Sequence, residues 1–329
     1  MTTINWGIIG CGNVTEKKSG QAYNKITDSK LVAVMRRDAA KAADYAQRHN
    51  VGKWYSDAED LMNDPEVNAV SIATPPASHL EYALRAIEKG LNIYVEKPVT
   101  RNAQEAQDMA DAVRESGAKL TVAHYRRALP MFLHVKSLID SNAIGDIRTV
   151  QIRMWKYQNP NPQADVDNWR LQPEFSGGGY FHDLAPHQLD LMLYYFGKPA
   201  SSTGYSLNQG GFSPANDHVC GQIVFKNKVV VNGSWCFNVA PSEATDICEI
   251  IGTKGKITFP FFGTFVTLKN EKGEETVNFT HPEHIQQPMI TKIVAYFKDE
   301  GPNPCTIDEA VVLMKIMDTF TISQKLELS

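Results

Sequence analysis

Three stretches carry residues whose types and spacing could do chemistry. In the first, Gly178-Gly179-Tyr180-Phe181-His182-Asp183-Leu184-Ala185-Pro186-His187-Gln188-Leu189-Asp190, a glycine run opens into a helical pattern. At about 100° per residue, Asp183, His187 and Asp190 fall on one face. Imidazole titrates near neutral pH and a carboxylate can orient it, so this set could relay a proton. The same residues also suit a plain helix start, with Asp183 in the first turn and His187 satisfied in a core. The second stretch, Gly10-Cys11-Gly12-Asn13-Val14-Thr15, follows directly on the apolar run Ile4–Ile9. A strand, a glycine turn and a helix make a phosphate cradle: Gly10 allows the tight turn, and Gly12 lets backbone approach a pyrophosphate at the helix start. Thr15 replaces the usual third glycine or alanine. The third stretch, Glu96-Lys97-Pro98, sets a lysine beside a rigid proline at a strand end. Near a nicotinamide, Lys97 could bond a substrate oxygen and stabilise charge developing there; otherwise it is a surface lysine in a turn.

These groups need a scaffold, and the first third of the chain supplies one. The strand Leu31–Met35 ends in Arg36-Arg37-Asp38, with Asp38 as the N-cap of a helix from Ala39. An acid at that strand end would suit the ribose hydroxyls of NAD, whereas arginine suits a 2′-phosphate. Arg36 and Arg37 therefore favour NADP over NAD, unless they are a solvated surface pair. The alternation continues through a strand at 68–73, a helix at 78–90, a strand at 92–95, a helix at 103–117 and a strand at 120–123. Such alternation predicts a parallel, doubly wound sheet. Ligand groups gather at the carboxyl ends of its strands, which selects Thr74-Pro75-Pro76 and Glu96-Lys97-Pro98.

Bulk properties narrow the function classes. A chain of 329 residues suits two domains, and 43% hydrophobic with 21% charged residues is the composition of a soluble globular protein. A net charge of −4 gives no basis for nucleic-acid or anionic-membrane binding. The N-terminus has no basic region before an apolar core, and no apolar run approaches the ~18–20 residues that span a bilayer. Five scattered cysteines without a Cys-x-x-Cys argue against a disulfide scaffold or structural zinc and fit a reducing cytoplasm. No metal site is expected, since His182 and Asp183 project in different directions on a helix.

Several motifs occur together in family order. These are Gly10-Cys11-Gly12, Ala73-Thr74-Pro75-Pro76 followed by His79, Tyr94-Val95-Glu96-Lys97-Pro98, and Gly177-Gly178-Gly179 leading to Asp183-x-x-x-His187. In them the chain resembles the Gfo/Idh/MocA oxidoreductases over nearly its whole length. The resemblance implies an α/β chain with a Rossmann domain and a second, α+β domain on a large, mostly antiparallel open sheet. It implies a catalytic trio: His187 as general acid/base, Lys97 polarising the reacting oxygen, and Asp183 orienting substrate and lysine. It implies a nicotinamide cofactor held by Gly10, Gly12, Asn13, Val14, Arg36, Arg37, Thr74, Pro75, His79, Glu96, Lys97 and the Trp169-Arg170 pair. Tyr125, where many members carry asparagine, and Tyr157 join Lys97, Asp183 and His187 as expected substrate contacts.

The alternating pattern stops after Ala123, so the expected domains are 1–123 for the cofactor and 124–329 for substrate binding and oligomerisation. In the second, a helix is expected from Ala128 to Ser141, and strands at 146–157, 219–225, 229–237, 245–251 and 256–260. Asn227-Lys228 reads as a hairpin turn. The proline-bearing loop from Gln158 to Pro173 suits a binding loop or a plain connector. Closing helices are expected at 284–297 and 307–326, the last packing back near the Rossmann domain. An open sheet needs its second face covered, which predicts a homodimer or homotetramer. The expected activity is hydride transfer between NADP, or NAD, and a secondary alcohol or ketone of a sugar, cyclitol or related polyol, in the cytoplasm. The alternative is a glycosidase or lyase that retains its cofactor and oxidises the sugar transiently. A regulator without catalysis would need the trio broken, and all three residues are present.

Overall fold

The structure, a computed structural model, describes residues 3–158 and 168–321. It divides into two compact units, Met1–Leu129 with His281–Val311, and Pro130–Thr280 with Val312–Ser329. The first opens on β1 (Ile4–Ile9), β2 (Ser29–Met35), α1 (Ala39–Arg48), β3 (Lys53–Tyr55) and α2 (Ala58–Met62). It continues through β4 (Ala69–Ile72), α3 (His79–Glu88), β5 (Asn92–Val95), α4 (Ala103–Ser116) and β6 (Leu120–Val122). All six strands pair in parallel, in the order β3-β2-β1-β4-β5-β6. Trp6, Ile8, Ile9, Val70, Ile72, Ile93 and Val95 are fully buried, as strands covered on both faces require. The Asp38 carboxylate accepts the Lys41 N–H at the start of α1, and α4 ends on Gly117 at φ 70°. Strand order reverses between β1 and β4, so ligand chemistry belongs at their carboxyl ends.

The second unit runs through α5 (Pro130–Asp140), β7 (Ile147–Trp155), α6 (Pro173–Ser176) and α7 (Gly179–Phe196). There follow β8 (Pro199–Leu207), β9 (His218–Phe225), β10 (Val230–Cys236), β11 (Thr245–Gly252), β12 (Gly255–Phe259), β13 (Phe265–Asn270) and β14 (Gly273–Asn278). Its eight strands lie in the order β14-β13-β12-β11-β7-β10-β9-β8, antiparallel except for the β7–β10 pair. Alternation sorts the faces: Val150, Ile152 and Met154 of β7 are buried, while Thr149, Gln151, Arg153 and Trp155 keep contact with solvent. α7 lies on the buried face. Phe181 meets Trp235 edge-on at 5.2 Å, the Trp235 indole N–H donates to the Gln188 side-chain carbonyl, and the Tyr195 hydroxyl donates to the Phe132 carbonyl of α5 at 3.1 Å. The chain then gives α8 (Gln287–Phe297) to the first unit, and α9 (Ile307–Thr321) contributes its start to the first and the rest to the second.

The division differs from the expected boundary at 123/124. After β6 the turn Tyr125–Ala128 stays buried within the first unit. Residues 281–311 join that unit as well: Arg127 pairs with Glu309 at 2.8 Å, the Thr121 hydroxyl donates to the Cys305 carbonyl at 3.1 Å, and Lys298 pairs with Asp28 at 2.6 Å. Residues 322–326 of the expected last helix, and 159–167 of the expected loop, lie outside the described residues. After the glycine turn, a short wide turn at Thr15–Ser19 stands where a regular helix was expected. Four strands escaped the sequence reading, β3, β8, β13 and β14. β3, β8 and β14 are sheet edges, and the Ser/Thr/Gly of β8 and Glu274-Glu275 of β14 are the polar dress that edges carry.

Trp235 is fully buried between sheet and helix. Trp235→Ala is expected to cost about 3–5 kcal/mol of unfolding free energy in a denaturant titration. A loss under about 1 kcal/mol would remove this contact as the anchor of α7.

Candidate active site

The turn after β1 fits a dinucleotide. Gly10 has φ +93°, and a Cβ there would lie 2.7 Å from Thr74 Cγ2 and 2.9 Å from its backbone nitrogen. The ends of β1 and β4 can therefore touch only because residue 10 is glycine. A Cβ on Gly12 would meet nothing nearer than the Gly10 carbonyl at 3.9 Å, so the backbone of the turn is open where a pyrophosphate must approach. Thr15 closes the turn: its hydroxyl lies 3.0 Å from both the Gly12 N–H and the Gly12 carbonyl. Asn13 is exposed and Val14 half-buried. At the end of β2, the Arg36 guanidinium donates to the Cys11 carbonyl at 3.3 Å, and Arg37 is exposed beside it. Burial pushes the Cys11 thiol up to about 11, so it stays protonated at neutral pH.

At the next two strand ends the side chains lock one another. The Ser78 hydroxyl donates to Thr74 Oγ1 at 2.8 Å, with Thr74 and Pro75 half-buried. His79, expected among the cofactor contacts, has both ring nitrogens on backbone carbonyls. Its Nε2 lies 2.8 Å from the Thr74 carbonyl, and its Nδ1 lies 3.1 Å from those of Pro98 and Val99. The ring ties the end of β4 to the turn after β5, and burial holds its pKa below the ordinary range. Glu96 is buried, and its two oxygens are divided. Gln286 Nε2 donates to one at 2.6 Å, and the Lys97 N–H donates to the other at 3.2 Å. The Tyr94 hydroxyl donates to the Gln286 side-chain carbonyl at 2.9 Å. Lys97 is thus carried on a turn whose backbone is pinned by its neighbour, its own side chain half-buried. Gln286 escaped the sequence reading: it precedes α8, far along the chain, in no recognisable motif. Tyr125 is buried in the turn after β6.

In the second unit, α7 buries every residue except Tyr180, Asp183 and Tyr194. Asp183 and His187 stand one turn apart on it, the imidazole buried and the carboxylate half-exposed. Arg170 Nε reaches Asp183 Oδ2 at 3.3 Å while its guanidinium covers the Trp169 ring at 4.6 Å. Trp169-Arg170 therefore meets the carboxylate of the expected trio. Asn168 fixes that turn, accepting the Arg170 N–H at 3.2 Å and donating to the Tyr180 hydroxyl at 3.3 Å. The Phe262 ring stands edge-to-face on His187 at 5.8 Å. Asp190 is buried, and Tyr157 is 50% exposed just after β7. Glycines at 177–179 could let the backbone pass close to a ligand. A side chain on Gly178 would instead strike the His182 ring, and one on Gly179 would strike Ala215 at 2.6 Å. These two glycines serve the packing of the helix start.

Burial holds the His182 imidazole down at about 4. In the unfolded chain it titrates near ~6.5, so the unfolded state takes the proton first. Stability from this group is complete above about pH 6.5 and is lost as pH falls towards 4, by roughly 3 kcal/mol at most. Denaturation at pH 7.5 and 4.5 is expected to show the slope and His182→Gln to flatten it. An equal slope in the variant would assign the effect elsewhere.

Comparison with known proteins agrees with this geometry. Residues 4–124 match the family description "Oxidoreductase family, NAD-binding Rossmann fold", and residues 132–258 match the "GFO/IDH/MocA C-terminal domain". Oxidoreductase P35 of Formosa agariphila is 48% identical over 96% of this chain and 98% of its own. The 1,5-anhydro-D-fructose reductase of Ensifer adhaerens is 27% identical over 93% of this chain and 92% of its own. A structure of levoglucosan dehydrogenase in complex with NADH superposes with a TM-score of 0.88 at 23% identity, covering 97% of this chain and 96% of that one, which shows a shared fold. With an NAD-binding Rossmann domain, its partner open sheet and a relative alike from end to end, the chain belongs to the Gfo/Idh/MocA family of oxidoreductases.

Proposed function

We propose that the protein transfers a hydride reversibly between NADP(H) and a secondary alcohol or ketone of a sugar, cyclitol or related polyol, with Lys97, Asp183 and His187 as its catalytic residues. The observation that carries this reading is the placement of His187 on α7: a buried imidazole one turn beyond a carboxylate that keeps contact with solvent. Gly10, Gly12 and Arg36 would hold a nicotinamide dinucleotide, which would supply the hydride chemistry when bound. His187 takes the proton of the substrate hydroxyl during oxidation and returns it during reduction, a contribution of about 10²–10⁴-fold. The Lys97 ammonium donates to the same oxygen and stabilises charge as it develops. Asp183, steadied by Arg170, orients the substrate and the lysine. Tyr125 and Tyr157 are further substrate contacts in this reading. The substrate class is supported by relatives named for anhydrofructose and levoglucosan, both sugar-derived rings. NADP is supported by Arg36 at the end of β2, where a guanidinium can pair with a 2′-phosphate.

Purified protein assayed with NADPH and NADH against a panel of keto-sugars and polyols tests this through cofactor absorbance. NADPH is expected to be preferred at least about 10-fold, with Arg36→Ala losing most of that preference. Lys97→Ala is expected to cut kcat by about 10²-fold or more. Equal use of both cofactors by the wild type would overturn the argument from Arg36. Full activity in Lys97→Ala would overturn the trio.

The same reading makes the protein a homodimer or homotetramer, in the cytoplasm that five scattered cysteines without a Cys-x-x-Cys suit. Support comes from the sheet face opposite α7, where Tyr205 is 51% and Leu207 48% exposed on β8, with two strands between them and half-buried Trp155 on the same face. An open sheet face with exposed aromatic and aliphatic side chains is the kind that a second copy covers. Light scattering after gel filtration is expected to give two or four times the chain mass of 36.6 kDa, and a monomer at micromolar concentration would refute it.

A further inference from the structure

The loop between β12 and β13 carries side chains outside every motif discussed above. Its first residues, Pro260 and Phe261, are buried, and Phe261 packs on Phe259 at 5.4 Å. The Asp246 carboxylate, at the start of β11, accepts the Phe261 N–H at 3.0 Å and the Phe262 N–H at 2.7 Å. A side chain on Gly263 would strike Pro260, so the loop is folded tightly on itself. The tip is therefore held in place before anything binds. What it presents is Phe262, 42% exposed, edge-to-face on the buried ring of His187. Covering an exposed phenylalanine ring with an apolar surface removes that area from water and is favourable. In this contact His187 is the buried ring and Phe262 the exposed one, so Phe262 offers an aromatic surface next to the imidazole.

We infer that Phe262, fixed by the Asp246 clamp, is a substrate-specificity residue: an aromatic wall beside His187 that takes the C–H face of a cyclic carbohydrate or cyclitol. The inference rests on the substrate class proposed above and adds to it a preference for rings over open chains. A pyranose or cyclitol ring presents several C–H bonds on one face and its hydroxyls round the edge. The aromatic face, negative at its centre, attracts those C–H groups and covers them from water. An acyclic polyol has no such flat apolar face and gains little from the same wall. Binding sites of this kind combine an apolar surface with a few convergent polar groups, here Phe262 with His187 and Asp183.

The test compares wild type, Phe262→Ala, Phe262→Tyr and Asp246→Asn on cyclic and acyclic substrates of the active panel, with melting temperature and NADPH affinity by fluorescence titration as folding controls. Phe262→Ala is expected to raise KM for cyclic substrates about 10-fold or more, while KM for acyclic polyols moves less than about 3-fold. Its kcat, the pH profile of kcat and NADPH affinity are expected to stay within about 3-fold of wild type. Phe262→Tyr keeps the ring and is expected to keep the preference. Asp246→Asn retains one acceptor oxygen and is expected to fall between wild type and Phe262→Ala. Equal KM increases for cyclic and acyclic substrates would overturn the inference. So would an effect confined to kcat with a displaced pH profile, which would make Phe262 a support for His187 alone. If the wild type turns over no carbohydrate or polyol at all, the proposed function itself fails and the inference falls with it.

Discussion

A helix that buries all but three of its residues must settle most of its polar groups from within, and α7 is such a helix. His182, His187, Gln188 and Asp190 are buried on it. Each buried polar group costs free energy unless something compensates it, so these positions are held to particular geometries. Gln188 takes the Trp235 indole N–H and registers the helix against the sheet. His182 is kept neutral by burial. Against that background Asp183 stands apart as the one charged residue of α7 in contact with water. A carboxylate and an imidazole on one rigid face, one wet and one dry, can hold different protonation states side by side, which acid/base work needs.

The first unit solves its own positioning problem by long-range ties. Glu96 is held by Gln286 from before α8, and Tyr94 holds Gln286 in turn. His79 joins two strand ends through backbone carbonyls. Gly10 lets β1 and β4 approach closely enough for their loops to share a cradle. The lysine and the glycine turn are thus fixed by neighbours that do no chemistry, an arrangement that catalytic groups require to within fractions of an ångström. In the second unit Arg170 and Asp246 play comparable parts, one at Asp183 and the other beneath the Phe262 loop.

Much of this was legible in the amino-acid sequence because local rules dominate there. Apolar runs broken by glycine turns announced the parallel sheet, and the N-cap at Asp38 and the hairpin at Lys228 follow from single residues. The residues of the candidate trio stood in motifs. What stayed hidden depends on distance or on edges. Gln286 gains its meaning from Glu96, and Asp246 from Phe262, and no periodicity connects either pair. β8 and β14 are polar because they are edge strands, so the alternation that reveals a strand is blurred in them. That residues 281–311 cluster with the first unit rests on Arg127–Glu309 and Lys298–Asp28, ion pairs that composition does not betray. The packing role of Gly178 and Gly179 depends on His182 and on the distant Ala215, and no local pattern shows it.

The account turns on His187 as the group that moves the proton. The most direct measurement is the pH dependence of kcat/KM in wild type and His187→Gln with the best substrate, alongside NADPH affinity in both. The prediction is a fall of about 10²–10⁴-fold, loss of one limb of the pH profile, and unchanged cofactor affinity. An unaltered profile with activity within about 3-fold of wild type would contradict it.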